Sequence, residues 1–353
     1  MIPFALGVLA LLLLSLLALA YRISSRLLYP PRQPVSRTPG DYGLEYEDIA
    51  FQSRDGLALK GWWIAAGRAP SLTGPSPTVL LLHPMFGNRQ GFSGHGREQP
   101  SSLRADVDLL GVARSFHQAG YAVLAFDFRS HGESQRGPCA GGLNEDQDVV
   151  AAVDTIFRRI AAEAPEAEPQ VGLVGLGMGA TAALAAVGRE KGGAETIRVF
   201  SGDSEGGFGW VEIPPAKVKR LRFLVAIQPA ALGALLRGCL HQVFAPLGPV
   251  LTPLVDRMCQ RRGAYPLDSP LLLQFVRNVQ IPVLYIQARR DAWGGSAEAQ
   301  RFYDATPGPK QIWWLDEPLG RLQAYDYVRE HMDRVLAFAE QNILRCPKAD
   351  EMP

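Results

Sequence analysis

The chain opens on an apolar stretch: residues 2–20 carry no charge, and Tyr21, Arg22 and Arg26 follow directly behind it. A run of roughly 18 or more apolar residues is long enough to cross a bilayer as a helix. No Lys or Arg precedes it, whereas Arg22, Arg26, Arg32 and Arg37 come after. The positive-inside rule therefore predicts a single-pass anchor over 1–21, with its N-terminus out and the remaining chain on the cytoplasmic side. A cleavable signal peptide competes through Ala18-Leu19-Ala20, which imitates a cleavage site, but the basic head of such peptides is missing. Residues 22–43 hold Pro30, Pro31, Pro34 and Pro39 among basic and polar residues, a composition that predicts an extended linker.

From 44 onward the pattern becomes that of a folded domain. Residues 44–51 and 57–65 are strand-like runs joined at Arg54-Asp55-Gly56, which predicts a hairpin. An alternation follows: strand 78–82, helix 103–119, strand 122–126, helix 145–162, strand 171–174, helix 180–189. Short apolar runs separated by amphipathic helices predict βαβ units, hence a mostly parallel sheet with helices on both faces. Further strands are expected at 221–227, 282–288 and 311–315. A closing helix is expected over 324–344, where Val328, Met332, Val335, Leu336, Ala339 and Ile343 make one apolar stripe. Two stretches break the alternation. Residues 197–218 read as a glycine-rich excursion, and the apolar, proline-containing stretch 231–278 reads as a small cap over the C-terminal ends of the strands. The expected domain thus runs over 44–345, with a tail at 346–353.

Composition narrows the function. The chain has 353 residues, 47% of them hydrophobic, enough for one large core. Lys+Arg 36 against Asp+Glu 35 gives a net charge of +1, which removes the electrostatic argument for nucleic acid. Cys139, Cys239, Cys259 and Cys346 form no C-x-x-C pair, and no histidines and carboxylates fall at metal-ligand spacing, so neither a metal nor a cofactor is expected.

Two phrases at predicted strand ends carry a resemblance. His83-Pro84-Met85-Phe86-Gly87-Asn88-Arg89 follows the strand ending at Leu82, and Asp127-Phe128-Arg129-Ser130-His131-Gly132-Glu133-Ser134 follows the strand ending at Phe126. They resemble the oxyanion loop and the D-x-R-x-H-G-x-S turn of the α/β-hydrolase superfamily. Within it the chain looks most like the membrane-anchored, dienelactone-hydrolase-like and acylglycerol-lipase-like branches, which cleave carboxylic esters. The resemblance implies an α/β-hydrolase fold and a nucleophile in G-x-S-x-G, on a strained turn between strand and helix. Here that phrase is Gly175-Leu176-Gly177-Met178-Gly179, so the nucleophile position, Gly177, has no side chain that can attack. The resemblance also maps the acid onto Asp291. The alternative for Asp291 is a loop residue that caps or pairs with Arg289 or Arg290. The histidine position falls near Arg321, in a loop without any histidine, and a guanidinium is not a general base. Backbone N–H groups of Met85 or Phe86 and of Met178 are the expected oxyanion donors. His83 and His131 are expected to hold loops, and His331 lies too far along the last helix to act as a base.

The leading expectation is a pseudoenzyme at a membrane bilayer that binds a lipid-like or ester-like small molecule or a protein partner without turnover. The alternative is an ester hydrolase with a nucleophile from elsewhere. A third reading starts from Val171 to Ala180, which also satisfies a dinucleotide fingerprint, G-x-G-x-x-A, with Gly175 and Gly177 as its glycines. It lacks the acid that should end the next strand, since that interval meets only Glu195.

Overall fold

The computed structural model describes residues 2–67, 76–92, 106–189, 197–202, 208–213 and 221–343. Eight strands form the central sheet in the spatial order Tyr46–Gln52, Ala58–Ile64, Ala122–Phe126, Thr78–Leu82, Val171–Leu176, Leu221–Ile227, Val283–Ala288 and Lys310–Leu315. The first two form the expected antiparallel hairpin, which turns at Gly56 with φ 87°. Ala58–Ile64 is also antiparallel to Ala122–Phe126, and all later pairs are parallel. Every residue of Thr78–Leu82, Ala122–Phe126, Val171–Leu176 and Val283–Ala288 is buried. That is why these strands read as continuous apolar runs: a parallel strand covered on both faces has no solvent side to alternate with.

Helices cover the two faces. Asp146–Glu163 and Met178–Arg189 contribute Val149, Val153, Ile156, Ala180 and Leu184 to one core cluster. Leu109–Gln118, Arg321–Glu330 and Met332–Ile343 contribute Leu109, Phe116, Val328 and Val335 to the other.

Several boundaries differ from the sequence expectation, each for a local reason. The helix expected over 103–119 occupies Leu109–Gln118, because Asp108 caps it by accepting from Gly111 N–H, and Val107–Asp108 is a short strand paired with Gly91–Phe92. Residues 103–105, and with them most of the loop that holds His95, lie outside the described residues, as does Glu195. The closing helix is two helices. They break at His331, whose φ of −117° leaves the helical range and whose Nδ1 meets Tyr327 O at 2.8 Å. Within the excursion at 197–218, Ile197–Gly202 and Phe208–Ile213 pair as an antiparallel two-stranded sheet apart from the main one.

The linker expectation over 22–43 also needs correction. The N-terminal helix runs without a break over Ile2–Leu28, since Pro30 is the first residue that stops it. A 3-10 turn, Pro39–Tyr42, follows where an extended linker was expected. The cap stretch contains three helices, Leu232–Phe244, Gly248–Arg261 and Leu271–Val276. The first two pack with the end of the N-terminal helix around Ala20, Leu27, Leu28, Leu236, Leu240, Leu251 and Val255.

Candidate functional site

The turn between Val171–Leu176 and Met178–Arg189 stands at the C-terminal edge of the parallel strands, where ligands of open α/β sheets bind. Gly177 forms its crest with φ 54° and donates its N–H to Ile227 O at 2.9 Å. The flanking glycines are steric requirements. A Cβ on Gly175 would lie 2.5 Å from Ala180 N, and one on Gly179 would overlap Leu82 O, so the helix approaches the strands only because both side chains are absent. This packing accounts for Gly175, the first glycine of the dinucleotide fingerprint, without any pyrophosphate.

Asp291 and Arg321 come together beside that crest. Arg321 Nη1 lies 2.6 Å from Asp291 Oδ2, and both residues are buried. Asp291 also accepts from Trp293 N at 3.0 Å, Gly294 N at 3.2 Å and Gln287 Nε2 at 3.3 Å. The expected partners of Asp291 are corrected here: Arg289 pairs with Asp316 instead, 27 residues along the chain and exposed. The other end of the Arg321 guanidinium, Nη2, donates to Gln228 O, lies 3.6 Å from where a Cβ of residue 177 would sit, and so bridges acid and crest.

Two side chains complete the arrangement, and sequence reasoning missed both. Tyr325 is one helical turn after Arg321, on the same helix face. Its hydroxyl lies 2.6 Å from the position of a Cβ on Gly177, in the place a nucleophilic side chain would leave the backbone. Gln228 follows the strand Leu221–Ile227 with φ 50°, fully buried, and donates its side-chain N–H to Arg321 O. A signal for Gln228 is present: a polar residue between the apolar run 223–227 and Pro229. For Tyr325 the signal is its i, i+4 spacing from Arg321.

Electrostatics fix the charge of two members of this cluster. Burial opposes the Arg321 charge, yet Tyr325 and Asp291 beside it hold the guanidinium above its ordinary range. Burial pushes the Tyr325 hydroxyl up, with Arg321 opposing, so it remains a neutral phenol. Neither group donates or takes a proton near neutral pH.

The loop phrases are built to be rigid. Burial lowers the pKa of His83 and His131. His83 Nε2 accepts from Phe128 N at 3.0 Å and its Nδ1 meets Pro84 O at 2.8 Å. His131 Nδ1 meets Arg129 O at 2.8 Å, and its Nε2 accepts from Phe86 N at 3.3 Å. Of the expected oxyanion donors, that last bond takes one alternative: the Phe86 N–H is directed to His131, with Phe86 held at φ 67°. Met178 is buried at the first turn of its helix, and Met85 is partly buried between the sheet core and the cap cluster. Arg129 is clamped by Asp148 at 2.7 Å and by Asp55 at 2.8 Å, tying this turn to the helix Asp146–Glu163 and to the first hairpin. No group of three or more His, Cys, Asp or Glu that could hold a metal occurs among the described residues.

Comparison with known proteins agrees with the fold. Residues 108–203 match the family described as serine aminopeptidase, S33. An uncharacterized membrane protein of Saccharomyces cerevisiae is 28% identical over 148 residues, 41% of this chain and 44% of that protein. Protein bem46 of Schizosaccharomyces pombe is 27% identical over 136 residues, 37% of this chain and 39% of that one. The chain thus spans less than half the length of these relatives. Among solved structures, an esterase of Pyrococcus furiosus superposes with a TM-score of 0.62 at 23% identity, covering 90% of this chain and 98% of that one, which speaks for the fold alone. Sheet order, the two loop phrases and these matches make the chain a member of the α/β-hydrolase superfamily.

Proposed function

We propose that this protein is a membrane-anchored α/β-hydrolase-fold scaffold that has left serine-hydrolase chemistry and acts by binding a lipid-like or ester-like ligand or a protein partner. The observation that carries the reading is the occupied crest. Gly177 offers no attacking atom, and the Tyr325 hydroxyl lies 2.6 Å from the point where one would be attached. The Arg321–Asp291 pair at 2.6 Å closes the place where an imidazole would relay a proton. Acyl transfer needs a nucleophile and a base in contact, and this cluster supplies a phenol and a guanidinium instead.

The anchor reading is supported by the N-terminal helix. Over the most apolar 18-residue window of Pro3–Leu28 the mean hydropathy is 2.5 and 6% of the window is buried, so the helix is long and apolar enough to cross a membrane. The chemistry of such a surface points to lipid as its surroundings, with the basic residues behind Tyr21 on the cytoplasmic side.

Two measurements test the reading on the full chain. Incubation with a fluorophosphonate, beside an active serine hydrolase, is expected to leave the chain unlabelled. Stoichiometric modification of any serine overturns the loss of serine chemistry. Extraction of cell membranes with alkaline carbonate is expected to leave the chain in the pellet, and release into the supernatant overturns the anchor.

A further inference from the structure

We propose that an open groove at the foot of the N-terminal helix, lined by Ser25, Arg26, Tyr29 and Arg136, binds the phosphate of an anionic phospholipid. The groove has a volume of about 390 Å³. It rests on the anchor reading, because the position of the groove relative to lipid follows from that helix.

Three observations converge on it. The first is charge without a counter-charge. Arg136 sits over the Tyr29 ring at 5.8 Å, and Arg262, from the end of a cap helix, sits over the same ring at 5.8 Å. Arg262 also lies over Tyr21 at 5.4 Å and donates to Ser25 Oγ at 2.8 Å. Arg26 is exposed at the groove wall. Most of the ion pairs elsewhere in the fold bring an arginine against a carboxylate, but among the described residues none involves Arg26, Arg136 or Arg262. Two cations from distant parts of the chain, Arg136 and Arg262, therefore meet on one aromatic ring with Arg26 beside it in the groove wall, and the ring face offsets only part of their repulsion. An anion with several acceptor oxygens completes such a cluster, and guanidinium forks suit a phosphate.

The second is depth. Ser25, Arg26 and Tyr29 lie just beyond the uncharged stretch 2–20, and Tyr21 stands between, as an interfacial aromatic does. The third is the cap. Residues 238–255 carry no Asp, Glu, Lys or Arg. In this stretch Val243, Leu247 and Val250 are 51%, 45% and 49% exposed. The helix Gly248–Arg261 packs with the N-terminal helix, and its end at Arg262 reaches Ser25. An apolar cap edge therefore stands beside the apolar helix with arginines at one end of both, the profile of a surface set into a bilayer down to its headgroups. This adjacency favours a lipid over free phosphate as the source of the anion.

The test uses the full chain in a neutral detergent, with bound lipid counted by native mass spectrometry against phosphatidylglycerol, phosphatidylcholine and inorganic phosphate. Phosphatidylglycerol is expected to bind about tenfold better than phosphatidylcholine. The double variant Arg26→Gln/Arg136→Gln is expected to lose that preference by tenfold or more, since each cation near an anionic lipid is worth about fivefold. The control Arg114→Gln/Arg158→Gln, exposed arginines elsewhere, is expected to keep it, with unchanged circular dichroism in both variants. Equal binding of the two lipids, or an equal loss in the control, overturns the groove assignment. Displacement of the lipid by an equal concentration of inorganic phosphate overturns lipid as the source. A chain that stays in the carbonate pellet yet shows no lipid preference refutes the groove alone, leaving the anchor intact.

Discussion

Gly177 keeps the left-handed conformation of a strained crest, φ 54°, although no side chain there requires it. The hydrogen bond from its N–H to Ile227 O and the close approach at Gly175 and Gly179 maintain the turn on packing grounds alone. The space above the crest has been taken by Tyr325, which makes this site a filled core position. Gly177→Ser is therefore expected to destabilise the protein by about 1–3 kcal/mol, because its Cβ lies 2.6 Å from the Tyr325 hydroxyl and a buried ring must move. The double change Gly177→Ser/Tyr325→Phe, which removes that oxygen, is expected to recover most of the loss. Thermal melts of the three proteins decide it: a Gly177→Ser melting temperature equal to wild type means that the crest is open.

At the level of elements, the helix Asp146–Glu163 shows how position and burial compete. Asp146 and Asp148 occupy its first turn, where the helix dipole favours anions. Both are nonetheless pushed up to about 6, chiefly by burial, with Arg189 and Arg129 opposing for Asp146 and Arg129 opposing for Asp148. A carboxyl that holds its proton more tightly folded than unfolded adds stability below its unfolded pKa, and that stability is lost as pH rises through the folded value. The stability of the wild type relative to Asp146→Asn is thus expected to fall by roughly 1–3 kcal/mol between about pH 4 and about pH 7. Melting both proteins across that range checks the sign. Parallel pH profiles, or a difference that grows with pH, would count against a raised Asp146. The N-terminal helix is a second element with two roles along its length. Phe4, Leu6 and Leu11 are 78%, 60% and 66% exposed, whereas Ala20 and Leu28 are 0% and 2% exposed.

Across the whole molecule, that helix joins the exposed apolar N-terminal segment to the cap, and through it the cap to the sheet. Leu27 and Leu28 share a core cluster with Leu236, Leu240, Leu251 and Val255, and Leu28 O accepts from Cys139 N at 2.8 Å in the loop before Asp146–Glu163. Removal of residues 2–14 is expected to leave this cluster and the melting temperature nearly unchanged. Removal of residues 2–28 takes two buried leucines from it and is expected to cost at least about 3 kcal/mol, with aggregation through the exposed cap. Size-exclusion chromatography and melts of the two truncations in detergent make the comparison. Equal behaviour would mean that the cap packs without the helix.

Sequence alone determined the alternation of strands and helices and the loop phrases behind Leu82 and Phe126. It also showed the missing side chain at Gly177 and the absence of a histidine near Arg321. These are properties of local composition: period, turn residues and motif spacing survive in one dimension. The continuation of the N-terminal helix into the cap, the break at His331 and the two-stranded sheet at 197–213 depend on contacts the chain order does not show. So does the cluster itself. Asp291, Arg321, Gln228 and Tyr325 come from two strand ends and one helix, and only the sheet order brings them to the crest at a third strand end. Arg289 and Arg290 directly precede Asp291 in sequence, yet the strand end turns Arg289 outward to Asp316 while the helix Arg321–Glu330 carries Arg321 inward. A buried carboxylate pairs with the cation that folding buries beside it, whatever its neighbours along the chain.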